Sequence, residues 1–217
     1  MTQSLPDTPK RRRTLQGEQT RQAVLRIAVD IASAEGLEGL SLGRLASELG
    51  RSKSGLFAHF GSMEELQLAT VDTAYEIFQN EVIDLAVSGK SGLVGLWSLC
   101  NTWLSYMERR VFRGGCFFAG AAAEFDSRPG SIRDKVAEIM SNWLGLLTNL
   151  IHEAQELGEI EPNIDASQLA FEINAFGLGA NWAFQLYNDP KAIHWAKAAM
   201  LQRLQSVVTS NSSSLLT

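Results

Sequence analysis

The stretch from Leu40 to Leu66, LSLGRLASELGRSKSGLFAHFGSMEEL, leaves this chain few folds to choose from. Ser41 stands where a helix N-cap belongs, its hydroxyl placed to accept from the backbone N–H groups left open at a helix start. Leu42, Leu45, Ala46 and Leu49 come next at three- and four-residue steps, which is one apolar helical face. Gly50 ends that helix, because glycine enters the left-handed region without a Cβ penalty. Ser52 is placed to cap a second short helix with Leu56 and Phe60 inward, and Ser62 with Glu65 forms a capping box that opens a long third helix. Two short helices joined by a tight turn make a helix-turn-helix, the arrangement that lays its second helix in the DNA major groove.

The same residues resemble the DNA-binding domain of the tetracycline-repressor (TetR) family. Leu45, Ala46, Gly50, Ser52, Lys53, Leu56, Phe57, Phe60, Ser62, Glu64, Glu65 and Leu66 fit that family's pattern of apolar, small, glycine, aromatic and acidic positions. Three residues depart from it. Arg51 replaces a small apolar residue, Phe57 a tyrosine that often meets a phosphate, and Met63 a lysine that often meets the DNA backbone. The close match covers about 50 residues, and the remainder agrees in length and helical layout. The resemblance implies a body that holds an inducer among the helices after the fourth. It also implies a homodimer formed by the last two helices as a four-helix bundle on a palindromic operator.

Charge distribution points the same way. Residues 1–60 hold nine Lys/Arg against six acids, a charge of +3, which leaves −8 on the rest of a chain whose net charge is −5. A basic first quarter on an acidic body suits a small nucleic-acid-binding head. No apolar run approaches the ~18 residues that would cross a bilayer, so no membrane association is expected. The N-terminus lacks a secretory pattern, and two cysteines give no disulfide framework; both features lead us to expect a cytoplasmic protein.

The periodicity predicts an all-α chain of about nine helices, with four regions: a basic arm over residues 1–16, a DNA-binding head over 17–61, a ligand-binding and dimerisation domain over 62–209, and a flexible tail over 210–217. Pro6 and Pro9 argue against helix in the arm, so the first helix is expected over residues 17–35. A fourth helix is expected from Ser62 to about Val87, with Val71, Ala74, Tyr75, Phe78, Val82 and Leu85 on its inner face. Further helices are expected over about 93–109, 116–125, 132–157 (capped by Ser131), 165–188 (Asp165 with Gln168 as reciprocal partner) and 191–208.

The DNA-contacting candidates are Arg11, Arg12 and Arg13 in the arm, and Arg44, Arg51, Ser52, Lys53, Ser54, Gly55, Phe57 and His59 in the motif. Lys53, Ser54 and His59 are the side chains expected to reach bases, whereas Arg44 and Arg51 suit phosphates, which position a protein without reading sequence. All five tryptophans lie in the body, and an apolar or aromatic effector is expected there. The effector candidates are Trp97, Trp103, Tyr106, Phe117, Phe118, Trp143, Asn174, Asn181 and Trp182. Asn174 and Asn181 can equally pair across a dimer interface. Gly177 and Gly179, inside a helix, imply close packing of that helix. Cys116, after two glycines at a helix start, is open to reading as a reactive thiol or as a small buried residue.

These readings converge on a ligand-released repressor, with the fourth helix as the mechanical link between head and body. Two alternatives remain open: a small-molecule-binding helical protein that has lost DNA binding, and a redox or electrophile sensor acting through Cys116. No cofactor, metal-ligand spacing or catalytic set is recognised, so no enzyme is expected.

Overall fold

The computed structural model describes residues 9–216, with the side chains of residues 9–16, Phe57 and Ser213 outside that description. It is all-α. Helix α1 (Pro9–Glu35), α2 (Leu42–Leu49) and α3 (Lys53–Phe60) form the head. Rod α4 comprises Met63–Phe78, a π-helical turn Gln79–Ile83, and Asp84–Val87. The body continues with α5 (Gly92–Glu108), α6 (Phe117–Phe125), α7 (Ser131–Glu156), α8 (Ala166–Tyr187) and α9 (Lys191–Gln205). Among the described residues there is no strand, only an isolated antiparallel bridge between Ile160 and Val208.

The head forms as its caps and periodicity dictate. Ser41 Oγ accepts from Arg44 N at 3.2 Å, and Gly50 closes α2 at φ 60° with its N–H on the Ala46 and Ser47 carbonyls. Ser52 Oγ accepts from Gly55 N at 3.2 Å, which caps α3. Val24, Ala28 and Ile31 of α1, Leu45 of α2, and Leu56 and Phe60 of α3 are buried in the shared core. Ser62 Oγ accepts from Glu65 N at 3.0 Å and starts α4.

Four expectations are corrected. Helix α1 begins at Pro9 rather than residue 17, because a proline at the first helical position loses no hydrogen bond that the helix would have made. The α4 stripe does not hold to its end: Leu85 is 59% exposed and Ala86 is buried in its place. The π turn just before them inserts an extra residue per turn and rotates the last turn of the rod about its axis. Ser131 is the first residue of α7, not its cap, and its hydroxyl bonds the Glu64 carboxylate. The expected loose tail carries a 3₁₀ turn, Ser213–Leu216, with Leu216 buried against the body.

Helix α5 is the centre of the body, packed by α7 and α9, while α8 packs on both of those. The head docks on the body through α6 and its flanking loops. Glu124 of α6 accepts from the backbone N–H groups of Leu37 (2.8 Å) and Glu38 (2.9 Å), just past the end of α1. Arg128 pairs with Glu38 at 2.5 Å, and Gln67 of α4 donates to the Leu37 carbonyl at 3.0 Å. Gly114 lies so close to α1 that a Cβ there would overlap the Ser33 carbonyl, and its N–H donates to Ser33 Oγ at 3.2 Å.

Candidate functional site

The head exposes a short polar edge. Arg51, Ser52, Lys53, Ser54 and Gly55 are all exposed at the start of α3. Gly43 of α2 makes room for the Lys53 stem: a Cβ there would fall 2.9 Å from Lys53 Cε. His59 is half-buried and turned towards Gly17 of α1, so that with Arg51 and Gly55 it lines a groove between α1 and α3. Arg21 of α1 lies over the Phe60 ring at 5.3 Å.

Arg44 has a partner within the head. Its guanidinium forms a two-pronged pair with Glu35, Nη2 to Oε1 at 2.7 Å, which clamps α2 to the end of α1. The same hydrogen bond holds the Glu35 carboxyl below the usual carboxylate range and raises Arg44. The pair lies at the surface, with both side chains more than a third exposed. The side chains of Arg11, Arg12, Arg13 and Phe57 lie outside the described residues. The backbone at Arg11–Arg13 continues α1, which near Gly17 runs beside α3.

The body contains a cavity of about 250 Å³ between α4, α5, α6, α7 and α8. Tyr75, Phe78, Gln79 and Ile83 of α4 form one wall, and Ile139, Met140, Asn142, Trp143 and Leu146 of α7 the opposite one. Trp103 of α5, Cys116 and Phe118 beside and on α6, and Leu178 of α8 complete it. The rings meet edge to face: Phe78 with Trp143 at 5.4 Å, Phe78 with Phe118 at 5.9 Å, and Trp103 with Trp143 at 5.0 Å between centroids. Gln79 and Asn142 are exposed and bring amides to the mouth.

Of the nine effector candidates, Trp103, Phe118 and Trp143 line this cavity. The other six lie elsewhere. Tyr106 and Phe117 are buried in the core outside it. Trp97 is half-buried beneath Lys197, whose Nζ lies 5.9 Å from the ring. Trp182 is 58% exposed on the outer face of α8. Asn174 Oδ1 accepts from Trp143 Nε1 at 3.1 Å, and Asn181 Oδ1 accepts from Cys116 N at 2.7 Å. The α4 residues were visible in sequence only as a core stripe, because a cavity wall and a packed core use the same side chains.

Gly177 also has an internal explanation. A Cβ there would run into the Trp103 ring, so the glycine lets α5 and α8 close around that indole. Gly179 has open space before it. Cys116 and Cys100 are both buried, and burial pushes both thiols up, Cys100 to about 12. Backbone N–H groups of α6 and the Trp103 indole pull Cys116 the other way without overcoming that burial, which is opposite to the activated thiol the sequence left open.

Residues 24–70 match the model described as bacterial regulatory proteins of the tetR family, and residues 92–200 match that of the tetracyclin repressor-like C-terminal domain. No match was found among the curated proteins. Among solved structures, a TetR transcriptional regulator from Chloroflexus aurantiacus superimposes with a TM-score of 0.83 at 25% identity, covering 89% of this chain and 98% of its own. A TetR-family regulator from Cytophaga hutchinsonii gives 0.78 at 18% identity, over 90% of this chain and 98% of its own. One from Agrobacterium tumefaciens gives 0.78 at 16% identity, over 89% and 100%.

Proposed function

The chain belongs to the tetracycline-repressor (TetR) family of bacterial regulators, and from that premise we propose that it is a ligand-released repressor that holds a palindromic operator as a homodimer. As a member it is a transcriptional regulator with an N-terminal DNA-binding domain and a C-terminal regulatory domain. The observation that carries the proposal is rod α4. It starts three residues after the recognition helix ends, and its middle section, Tyr75 to Ile83, is a wall of the cavity. A molecule that changes the spacing of that wall therefore acts on the element that fixes the head.

In this reading α3 enters the major groove with Ser52, Lys53, Ser54 and Gly55 against base edges and Arg51 on a phosphate. The basic run Arg11–Arg13 reaches DNA from the extended start of α1. The paired copies join through α8 and α9. Phe171, Gly179, Trp182 and Leu186 make an exposed stripe at helical spacing on α8, and Trp195 of α9 is exposed as well. A contiguous apolar patch of this kind marks an association surface. No helix among the described residues is long and apolar enough to cross a membrane.

Release comes only from an effector that binds the two states unequally. A hundredfold loss of operator affinity requires about 2.7 kcal/mol of coupling. The test is selection of DNA fragments from a random pool by the purified protein, with affinity measured against salt. A palindrome, bound with affinity that falls steeply as salt rises, is the expected result. Enrichment of a single half-site by a monomer would overturn the dimer, and no enrichment with or without added aromatic compounds would overturn the operator reading.

A further inference from the structure

A second hollow adjoins the cavity at the surface. It is a groove of about 720 Å³ between α6 and α8. Ala119, Gly120 and Ala123 of α6 form one wall, and Leu178, Trp182 and Leu186 of α8 the other, each set at helical spacing. Gly120, Ala123, Trp182 and Leu186 are exposed, and nothing stands within 4 Å of where a Cβ on Gly120 would point. Met140 of α7 lines the groove too, and with Leu178 it also borders the cavity. The amides on the α8 wall are engaged within the chain: Asn181 Oδ1 accepts from Cys116 N, and Gln185 Oε1 accepts from Arg110 Nη1 at 3.3 Å. The one charged lining residue, Asp126, lies exposed just past the end of α6. An apolar centre with its charge at the edge is the anatomy of a protein–protein contact, not of a nucleic-acid site.

We infer that the groove is the seat of a second copy of this chain, with the partner's Trp182 entering the slot left by the small residues of α6. The inference rests on the α8 dimer proposed above and extends that interface to α6. Two features select a second copy as the occupant. Trp182 and Leu186 belong both to the groove and to the exposed stripe of α8, so the two surfaces are continuous. A large exposed ring also stands beside a slot, and a two-fold axis places the ring of each copy in the slot of the other. Reciprocal seating covers on the order of 500 Å² of the about 1,600 Å² that a stable interface buries, and the rest of the α8 stripe and Trp195 extend it. Because Met140 and Leu178 border both hollows, the seated ring and an effector meet the same two side chains.

Two variants of the full-length protein test the contact. Gly120→Leu fills the slot; the position is open and leucine suits a helix better than glycine, so the melting of the subunit should not fall. Trp182→Ala removes the ring. In sedimentation, each variant alone is expected to self-associate about tenfold more weakly than wild type, or worse. Mixing them repairs both contacts: the enlarged side chain of one copy meets the truncated one of the other, and the second contact is the natural pair. Native mass spectrometry of the mixture should therefore show heterodimer well above its random share, which a contact within one chain would not produce. Ala123→Leu, on the same wall, repeats the fill if Gly120→Leu melts early. A random share of heterodimer, or wild-type association by Gly120→Leu beside weakened Trp182→Ala, would overturn the seat on α6 and leave pairing through α8. A monomeric wild-type protein, or two variants that pair as tightly as wild type, would overturn the α8 dimer and this inference with it.

Discussion

Gly177 and Gly179 sit two positions apart on one helix and answer to different neighbours. Alanine at 177 would drive its methyl into the Trp103 ring. Overpacking of that kind costs about 1–3 kcal/mol and outweighs the ~1 kcal/mol gained in helix propensity. At 179 nothing stands within 4 Å in the single chain. Urea denaturation should therefore show Gly177→Ala destabilised, whereas Gly179→Ala should leave the subunit intact and weaken self-association. The buried thiols make a second prediction. Burial raises Cys100 in the folded state to about 12, above its unfolded value, so its contribution is fully present below about pH 8.5 and fades as pH rises. Between pH 7.5 and 10 the loss from this group is about 2 kcal/mol. The fall in stability over that interval should be shallower in Cys100→Ala; an identical slope would mean that the thiol ionises as readily folded as unfolded.

Helix α6 is short, yet it touches both halves of the molecule. Phe118 near its start faces the cavity, and Glu124 near its end holds two backbone N–H groups beyond α1. With α4 it gives the body two points of purchase on the head, where the sequence had suggested only one. Removing the carboxylate in Glu124→Ala leaves both N–H groups without that acceptor, a cost of about 1–3 kcal/mol that falls on the docking of the head. The expected outcome is faster amide exchange at Leu37 and Glu38, with the body unchanged, and an operator affinity that responds less to effector. Unchanged exchange at both amides would remove α6 from the coupling. The π turn in α4 acts on the same coupling, because it aims Gln79 and Ile83 at the cavity and turns Leu85 outward.

In the proposed dimer, the outer stripe of α8 is the surface that lets two heads span an operator. Trp182 is largely exposed in the single chain and touches Tyr187 edge to face at 5.4 Å between centroids. Trp182→Glu places a charge in the centre of that stripe. It should leave the helical content and melting of the subunit close to wild type, convert a dimer to a monomer in sedimentation, and lower operator affinity at least a hundredfold. A variant that remains dimeric would move the interface elsewhere.

The helix-turn-helix was legible in the sequence because its determinants are local. Ser41, Gly50, Ser52 and Ser62 cap or end helices through groups within a few residues, and the spacing of Leu45, Ala46, Leu56 and Phe60 declares which faces turn inward. Helix class and the division into head and body came from the same short-range pattern. Other features depended on which residues meet across distance. Arg44 pairs with Glu35 nine residues away, and Asn174 and Asn181 accept from Trp143 and Cys116 on other parts of the chain. Of the candidate aromatic residues, only Trp103, Phe118 and Trp143 surround the cavity, joined by α4 residues that periodicity assigns to the core. A buried ring has the same signature in sequence whether it fills space or borders it. That distinction is made by the gap left when five helices pack, and no single stretch of the chain encodes it.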